Sequence, residues 1–166
     1  MRANERMRPT APFSPDMVRR LLAGIPQQPP FRFVDTIDAA DEAHIWGSYR
    51  FREDEWFYPG HFPGNPITPG VILLETMAQI GLVALAVYHH ISAGRTDEEM
   101  ARLSTLFTFA EEVAFLGIVR PGERVRVLGE KVFFRKQGVR ARVEMIRESG
   151  ECVCRGLLSG TGGFAQ

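Results

Sequence analysis

A long, nearly uninterrupted apolar stretch runs from Gly70 to Ile91. A helix formed by this stretch would be apolar on every side, which is typical of a helix buried at the centre of a domain. The stretch is also long enough to cross a membrane. However, Glu75 and Gln79 lie one turn apart within it, and the flanking segments are typical of a sheet. The sequence therefore predicts a core helix and no membrane span.

Capping residues mark two helix starts. Ser14 precedes Pro15, which predicts a short helix that ends near Gly24. Thr68 precedes Pro69, which predicts the start of the long helix. Strand-like patterns cover 31–37, 43–52, 104–115, 123–135, 139–148 and 151–159. One long buried helix and about six strands predict an α+β domain, with a curved antiparallel sheet wrapped around the helix.

The composition is that of one globular domain. The chain has 166 residues, of which 45% are apolar and 24% charged, and this excludes a disordered or collagen-like protein. We expect a flexible tail at 1–13 and a single domain at 14–166. Because the formal net charge is zero, no whole-molecule positive field favours nucleic acid.

The two cysteines, Cys152 and Cys154, lie two residues apart on a predicted strand and point to the same face. Neighbours on one strand are poorly placed for a disulfide, and two thiols alone make no zinc site. Buried thiols are typical of a reducing compartment, and the N-terminal residues lack the apolar core of a signal peptide. The sequence therefore predicts a cytoplasmic protein.

His61 lies in a loop that three prolines stiffen. Pro63, Pro66 and Pro69 each favour an extended conformation of the preceding residue. A stiff loop holds a side chain in a fixed place, which separates His61 from an ordinary solvated histidine. We identify His61 as a candidate base.

Glu75 is the only carboxylate in the long apolar stretch. Burial would raise its pKa, so that it could hold a proton near neutral pH and act as an acid. Gln79, one turn later, could fix this carboxyl by a hydrogen bond. The N–H groups of Gly70 and Val71 at the helix start could receive a developing oxyanion.

Other polar groups fit structural roles. His89 and His90 fit the surface at the end of the long helix, where they complement its dipole. The glycine-rich segment 160–163 precedes no helix and is interpreted as a tail, not as a phosphate-binding loop.

The segment 60–79, which reads GHFPGNPITPGVILLETMAQ, resembles the active-site signature of the FabZ-type β-hydroxyacyl-acyl-carrier-protein dehydratases. Weaker similarity extends over about 25–160. The resemblance implies a hotdog fold and a homodimer or higher homo-oligomer, with His61 from one subunit and Glu75 from the other in each active site. It also implies a cis peptide bond between His61 and Phe62, and a substrate tunnel near Phe62, Pro69 and Leu74.

The reaction implied is the reversible loss of water from a 3-hydroxyacyl thioester, which gives the trans-2-enoyl product. His61 would remove the proton from C2, Glu75 would protonate the departing hydroxyl, and the thioester oxygen would rest on the Gly70 N–H. Neither a metal nor an organic cofactor is implied. The related FabA-type dehydratase-isomerases carry aspartate at the position of Glu75, which favours dehydration alone.

Two other functions stay open at this point. Hotdog thioesterases hydrolyse acyl thioesters with one carboxylate and a water, although the pairing of His61 with Glu75 favours a dehydratase. A non-catalytic subunit of a heterodimer would supply only half a site. The pathway, either fatty-acid biosynthesis or specialised polyketide and polyene lipid synthesis, is left open too.

The expected partner is an acyl carrier protein, whose acidic helix docks on basic residues. Housekeeping members of the family carry basic residues at two places where this chain has 26–28 and 114–117, and neither segment is basic here. Either the recognition of the carrier has changed or the charge has moved elsewhere. The candidate basic residues are Arg120, Arg124, Arg135, Lys136 and Arg140.

Overall fold

A computed structural model describes residues 13–135 and 138–165. The predicted tail at 1–13 lies outside these residues except for Phe13, whose ring packs against Tyr88 with 5.7 Å between the centroids. The predicted turn at Lys136 and Gln137 also lies outside them.

Six strands form one antiparallel sheet in the order β1-β2-β4-β5-β6-β3. The strands are β1 (Thr36–Ala40), β2 (His44–Arg50), β3 (Leu103–Phe115), β4 (Arg124–Arg135), β5 (Gly138–Arg147) and β6 (Cys152–Phe164). A short N-terminal helix (Pro15–Gly24) begins as predicted, since the Ser14 hydroxyl accepts a hydrogen bond from the Met17 N–H at 3.2 Å. A one-turn helix (Asp97–Met100) precedes β3. The α+β class is confirmed.

The central helix, Gly70–Ser92, packs against the concave face of the sheet. Its length and mean hydropathy of 2.0 match those of a membrane span, but 78% of its most apolar window is buried inside the domain. The helix widens into a π-helical turn at Gln79–Val83. Gly81 in this turn faces Gly129 of β4, where a Cβ would lie only 2.3 Å from the Gly81 carbonyl oxygen. Two glycines therefore let helix and sheet approach closely.

The first strand begins later than predicted. The segment 31–35 is not a strand, and β1 starts at Thr36. The Phe33 N–H and the Phe31 carbonyl bond to the Gln79 side chain, at 2.7 Å and 2.9 Å respectively. Their backbone groups are thus satisfied by the central helix, and no neighbouring strand is needed.

Two further predictions are corrected. Thr68 does not cap the central helix, because its hydroxyl bonds to the Tyr58 hydroxyl at 2.7 Å and Pro69 takes the cap position. The glycine-rich segment 160–163 is not a tail, because it belongs to β6. In that strand Gly160 pairs with both Val139 and Phe107, so the segment is held from both sides.

Candidate active site

The His61 side chain is held by the loop that carries it. Its Nδ1 lies 2.9 Å from the carbonyl oxygen of Ile67, and the Ile67 N–H donates to the His61 carbonyl at 2.9 Å. Because a carbonyl oxygen only accepts, Nδ1 must carry the proton, and Nε2 of the neutral ring keeps a free lone pair. His61 is half-buried. The predicted cis peptide bond between His61 and Phe62 is confirmed.

The Glu75 carboxyl is positioned by Gln79. The Gln79 Nε2 donates to Glu75 Oε1 at 2.8 Å and to the Phe31 carbonyl at 2.9 Å, while Gln79 Oε1 accepts from the Phe33 N–H at 2.7 Å. These bonds use both ends of the amide and fix its orientation. The fully buried Gln79 therefore positions Glu75, and Glu75 Oε2 has no partner among the described residues.

Burial raises the pKa of Glu75 above its ordinary value of 4.5, while the hydrogen bond from Gln79 acts in the opposite direction and is the smaller effect. A raised pKa keeps more of this carboxyl protonated as the pH approaches neutrality. The group is therefore suited to donate a proton.

Replacement of Glu75 by Gln should change how stability depends on pH. The native state of the unmodified protein binds more protons at Glu75 than the unfolded state does, so its free energy of unfolding falls as the pH rises above about 4.5, through the raised pKa. Glu75→Gln removes this pH-dependent loss of stability, and its side-chain oxygen can still accept the hydrogen bond from Gln79. We expect the stability of the variant relative to wild type to increase over that pH window, measured by urea unfolding at one protein concentration.

Glu130→Gln on β4 is the matched control, because Glu130 is also half-buried and its carboxylate pairs with Arg142 at 3.4 Å. The stability of this variant relative to wild type should not increase over the same window. If the stability of Glu75→Gln relative to wild type does not change with pH in this window, the raised pKa of Glu75 is contradicted.

The first turn of the central helix offers free backbone donors. Pro69 occupies the cap position, and its carbonyl accepts from the N–H groups of Ile72 and Leu73 at 2.9 Å and 3.1 Å. The N–H groups of Gly70 and Val71 have no acceptor among the described residues. Unpaired donors at a helix N-terminus suit an oxygen on which negative charge develops.

A narrow pocket with Glu75 in its lining extends along the central helix. Its walls come from the central helix, β3, β6 and the ends of β4 and β5. Most of the lining residues are apolar or glycine: Ala78, Leu82, Val83, Ala86, Leu103, Leu106, Phe107, Phe134, Val139, Gly138, Gly160 and Gly162. The pocket suits an acyl chain attached to a reacting group near Glu75.

The pocket does not include every residue proposed from the sequence. Phe62, Pro69 and Leu74 do not line it, and their place along a tunnel stays a prediction. His90 does line it, although the sequence placed both His89 and His90 at the surface. That placement is wrong, because Phe134 of β4 packs on both rings and leaves them half-buried. The separation of β4 from the helix in sequence hid this contact.

Within one chain, the His61 and Glu75 side chains bond to different partners. Among the described residues no hydrogen bond or ion pair joins their side chains. Each group is separately held in position, His61 by its loop and Glu75 by Gln79. A single chain therefore holds a candidate base and a candidate acid that are not bonded to each other.

Comparison with known proteins places this arrangement in a family. Residues 25–158 match the family model of the FabA-like domain. The 3-hydroxyacyl-[acyl-carrier-protein] dehydratase FabZ of Caldicellulosiruptor saccharolyticus is 33% identical over 142 residues, which cover 85% of this chain and 94% of that protein.

Solved structures share the fold at low identity. The dehydratase heterocomplex ApeI:P from Xenorhabdus doucetiae gives a TM-score of 0.72 at 13% identity, covering 86% of this chain and 90% of that chain. A mutant thioesterase from Pseudomonas aeruginosa gives 0.54 at 10% identity, covering 78% and 81%. These likenesses identify a hotdog fold, which dehydratases and thioesterases share. With the family match over most of its length, the chain belongs to the FabA-like hotdog family, among its FabZ-type members.

Proposed function

We propose that this protein dehydrates 3-hydroxyacyl thioesters carried by an acyl carrier protein to trans-2-enoyl thioesters. The observation that carries the proposal is the half-buried, Gln79-bound Glu75 carboxyl in the lining of an apolar pocket. The FabZ-type relatives support the same reaction. The pathway is the synthesis of fatty acids or of specialised polyketide and polyene lipids.

The reaction moves one proton at each end of the new double bond. His61 Nε2 takes the proton from C2, whose acidity the thioester carbonyl provides, and the oxygen of that carbonyl rests on the Gly70 N–H. Glu75 gives its proton to the hydroxyl on C3, and the C3–O bond breaks as water leaves. Exchange with solvent then deprotonates His61 and reprotonates Glu75, so both groups return to their starting state.

A homodimer would complete the site. The edge strand β3 leaves a row of apolar side chains in solvent, among them Leu106 and Phe109 at 70% and 65% exposure, and Val71 at the helix start is 72% exposed. A long apolar edge strand is a strong template for pairing with another chain. A second copy on β3 would cover these residues and bring the His61 of one subunit to the Glu75 of the other.

Product analysis tests the reaction directly. Purified protein is incubated with 3-hydroxybutyryl and crotonyl thioesters, and enoyl absorbance is recorded beside the release of free thiol. A dehydratase interconverts the two thioesters without releasing thiol. Release of thiol would identify a thioesterase, and neither change would identify a non-catalytic subunit.

Arg120 is the basic residue best placed to receive the carrier. Its guanidinium lies 3.4 Å from Asn65 Oδ1 in the His61 loop, and the adjacent Val119 carbonyl accepts from the Thr68 N–H at 2.8 Å. Arg124 instead bonds to Ser48, and Arg140 pairs with Glu111 at 2.7 Å. A cation beside the His61 loop fits an acidic carrier.

Arg120→Glu should raise the KM for a carrier-bound substrate roughly tenfold, because it places a negative charge against an acidic partner. The KM for the same acyl group on free pantetheine should not change. Arg126→Glu, on the exposed outer face of β4, is the control and should leave both values unchanged. Equal effects of the two variants on the carrier-bound substrate would place the carrier elsewhere.

The proposed location is the cytoplasm. Cys152 and Cys154 are both free thiols, and burial raises the pKa of Cys154 to about 11. Protonated, buried thiols react slowly and fit a reducing compartment.

A further inference from the structure

The loop that carries His61 is closed at its base by two buried hydroxyl groups. The oxygens of the Tyr58 and Thr68 side chains lie 2.7 Å apart and share a hydrogen bond, in which either oxygen can be the donor. Both side chains are buried, so water hardly competes for this bond. The two partners are ten residues apart in the sequence. The bond therefore joins the two ends of the segment 58–68.

His61 is connected to both ends of this segment. The Ile67 N–H donates to the His61 carbonyl at 2.9 Å, and the Ile67 carbonyl accepts from the His61 ring at 2.9 Å. Ile67 is the neighbour of Thr68, whose own N–H donates to the Val119 carbonyl at 2.8 Å. At the other end, the His61 N–H donates to the Tyr58 carbonyl at 3.2 Å. The position of the His61 ring therefore depends on both partners of the hydroxyl pair.

The same pair lies next to the start of the central helix. Thr68 is followed by Pro69 at the cap position and by Gly70, whose N–H has no acceptor among the described residues. The candidate base and the candidate oxyanion donor thus belong to one loop whose ends are bonded together. In the proposed reaction they act on adjacent groups of the substrate, the C2 proton and the thioester oxygen. A displacement of about 1 Å at such a site can lower the rate on the order of 10²-fold.

We propose that the Tyr58–Thr68 hydroxyl pair is a positioning element of the active site. It holds the His61 ring and the Gly70 N–H in the arrangement that proton removal from C2 requires. Neither hydroxyl has to touch the substrate in this role, because each acts through the loop. The inference rests on the proposed dehydratase function and adds two positioning residues to that site.

A role in stability alone would give a different result when both hydroxyls are removed. Loss of one hydroxyl leaves the other buried without its partner, which destabilises the fold. Replacement of both by apolar groups of similar shape leaves no unpaired group, so most of the stability returns. Two apolar groups in contact do not fix a distance and a direction as a hydrogen bond does. Stability and turnover should therefore separate in the double variant.

Variants of the two hydroxyls measure this separation. Tyr58→Phe and Thr68→Val each remove one partner with little change of shape. Each should lower the kcat for dehydration roughly tenfold or more, with little change in KM. The double variant Tyr58→Phe/Thr68→Val should regain most of the wild-type resistance to urea, while its kcat stays low. Thr68→Ser keeps the hydroxyl and should retain most of the wild-type kcat.

Thr36→Val is the matched control. The Thr36 hydroxyl bonds to the Ser48 hydroxyl at 2.8 Å, between β1 and β2 and outside the His61 loop. This variant also breaks a pair of hydroxyls, so it should lower stability and leave kcat unchanged. An equal loss of kcat in Thr36→Val would overturn the inference. So would a kcat near the wild-type value in Tyr58→Phe, or a kcat that recovers together with stability in the double variant.

Nuclear magnetic resonance separates this inference from the proposed function. Absence of dehydration by wild type would refute the function, whatever the variants do. The inference is then decided by the proton on Nδ1 of His61, which is bonded to the Ile67 carbonyl. In the double variant this proton should exchange with water roughly tenfold faster than in wild type or in Thr36→Val. Equal exchange rates in the three proteins would overturn the inference.

Discussion

His61→Ala is expected to lower the kcat/KM for dehydration by roughly 10²–10⁴-fold, the usual range for loss of a general base. The hydrogen bond from Nδ1 to the Ile67 carbonyl leaves Nε2 as the basic nitrogen. Alanine removes that nitrogen and leaves the backbone bonds between residues 61 and 67 in place. The loss should appear mainly in kcat, because proton removal is a step of the reaction itself.

Glu75→Gln is expected to cause a loss of similar size, roughly 10²–10⁴-fold, for the opposite reason. The amide has the same shape and can still accept from Gln79, but it has no acidic proton to give to the leaving hydroxyl. Since burial already raises the pKa of Glu75, wild-type activity should decline as the pH rises through that pKa. The residual activity of Glu75→Gln should lack this decline.

Initial rates of enoyl formation measure both losses, with circular dichroism to show that each variant is folded. His44→Ala is the control for His61, because His44 is half-buried on β2 and pairs with Asp41 at 3.1 Å outside the site. Glu130→Gln is the control for Glu75. Turnover near the wild-type rate in His61→Ala or Glu75→Gln would refute the role given to that residue.

The parts of the fold that were predictable depend on local chemistry. The central helix follows from an apolar run too long for a strand, and Ser14 marks the start of the N-terminal helix by a bond within its own turn. The strands from β2 to β5 lie within two residues of their predicted bounds. His61 and Glu75 stand out in the sequence because one lies in a loop stiffened by prolines and the other in an apolar helix.

The predictions that were wrong concern residues whose contacts join segments distant in the sequence. Residues 31–33 read as a strand because nothing nearby reveals that Gln79 bonds to their backbone. Thr68 reads as a cap because its bond to Tyr58 forms only when the loop folds. His90 reads as a surface residue because Phe134, which covers it, lies on another element. Local patterns report periodicity and caps, whereas such pairings require the three-dimensional fold.

Mixing the two inactive variants is expected to restore activity. If each site takes His61 from one subunit and Glu75 from the other, a mixed dimer of His61→Ala and Glu75→Gln has one intact site and one site without either group. Random exchange at equal concentrations makes half of the dimers mixed, which gives about a quarter of the wild-type activity.

This expectation follows from the two side chains within one chain, because His61 and Glu75 are each held in place separately. His61 and Glu75 share no bond, and the apolar side chains of β3 lie exposed. Phe109→Glu, which places a charge at a residue exposed to 65% on β3, should give an inactive monomer in light scattering. With His61→Ala added, the same variant should fail to restore activity to Glu75→Gln.

The activity of the mixture can be interpreted only when the two variants are shown to exchange subunits. Two different affinity tags, one on each variant, report the mixed dimer by sequential purification. Activity in that purified fraction, absent from either parent, would establish a site shared between subunits, because neither chain alone holds both groups. Mixed dimers without activity would contradict the shared site, since each would then need His61 and Glu75 from the same chain. A fully active wild-type monomer would contradict it as well.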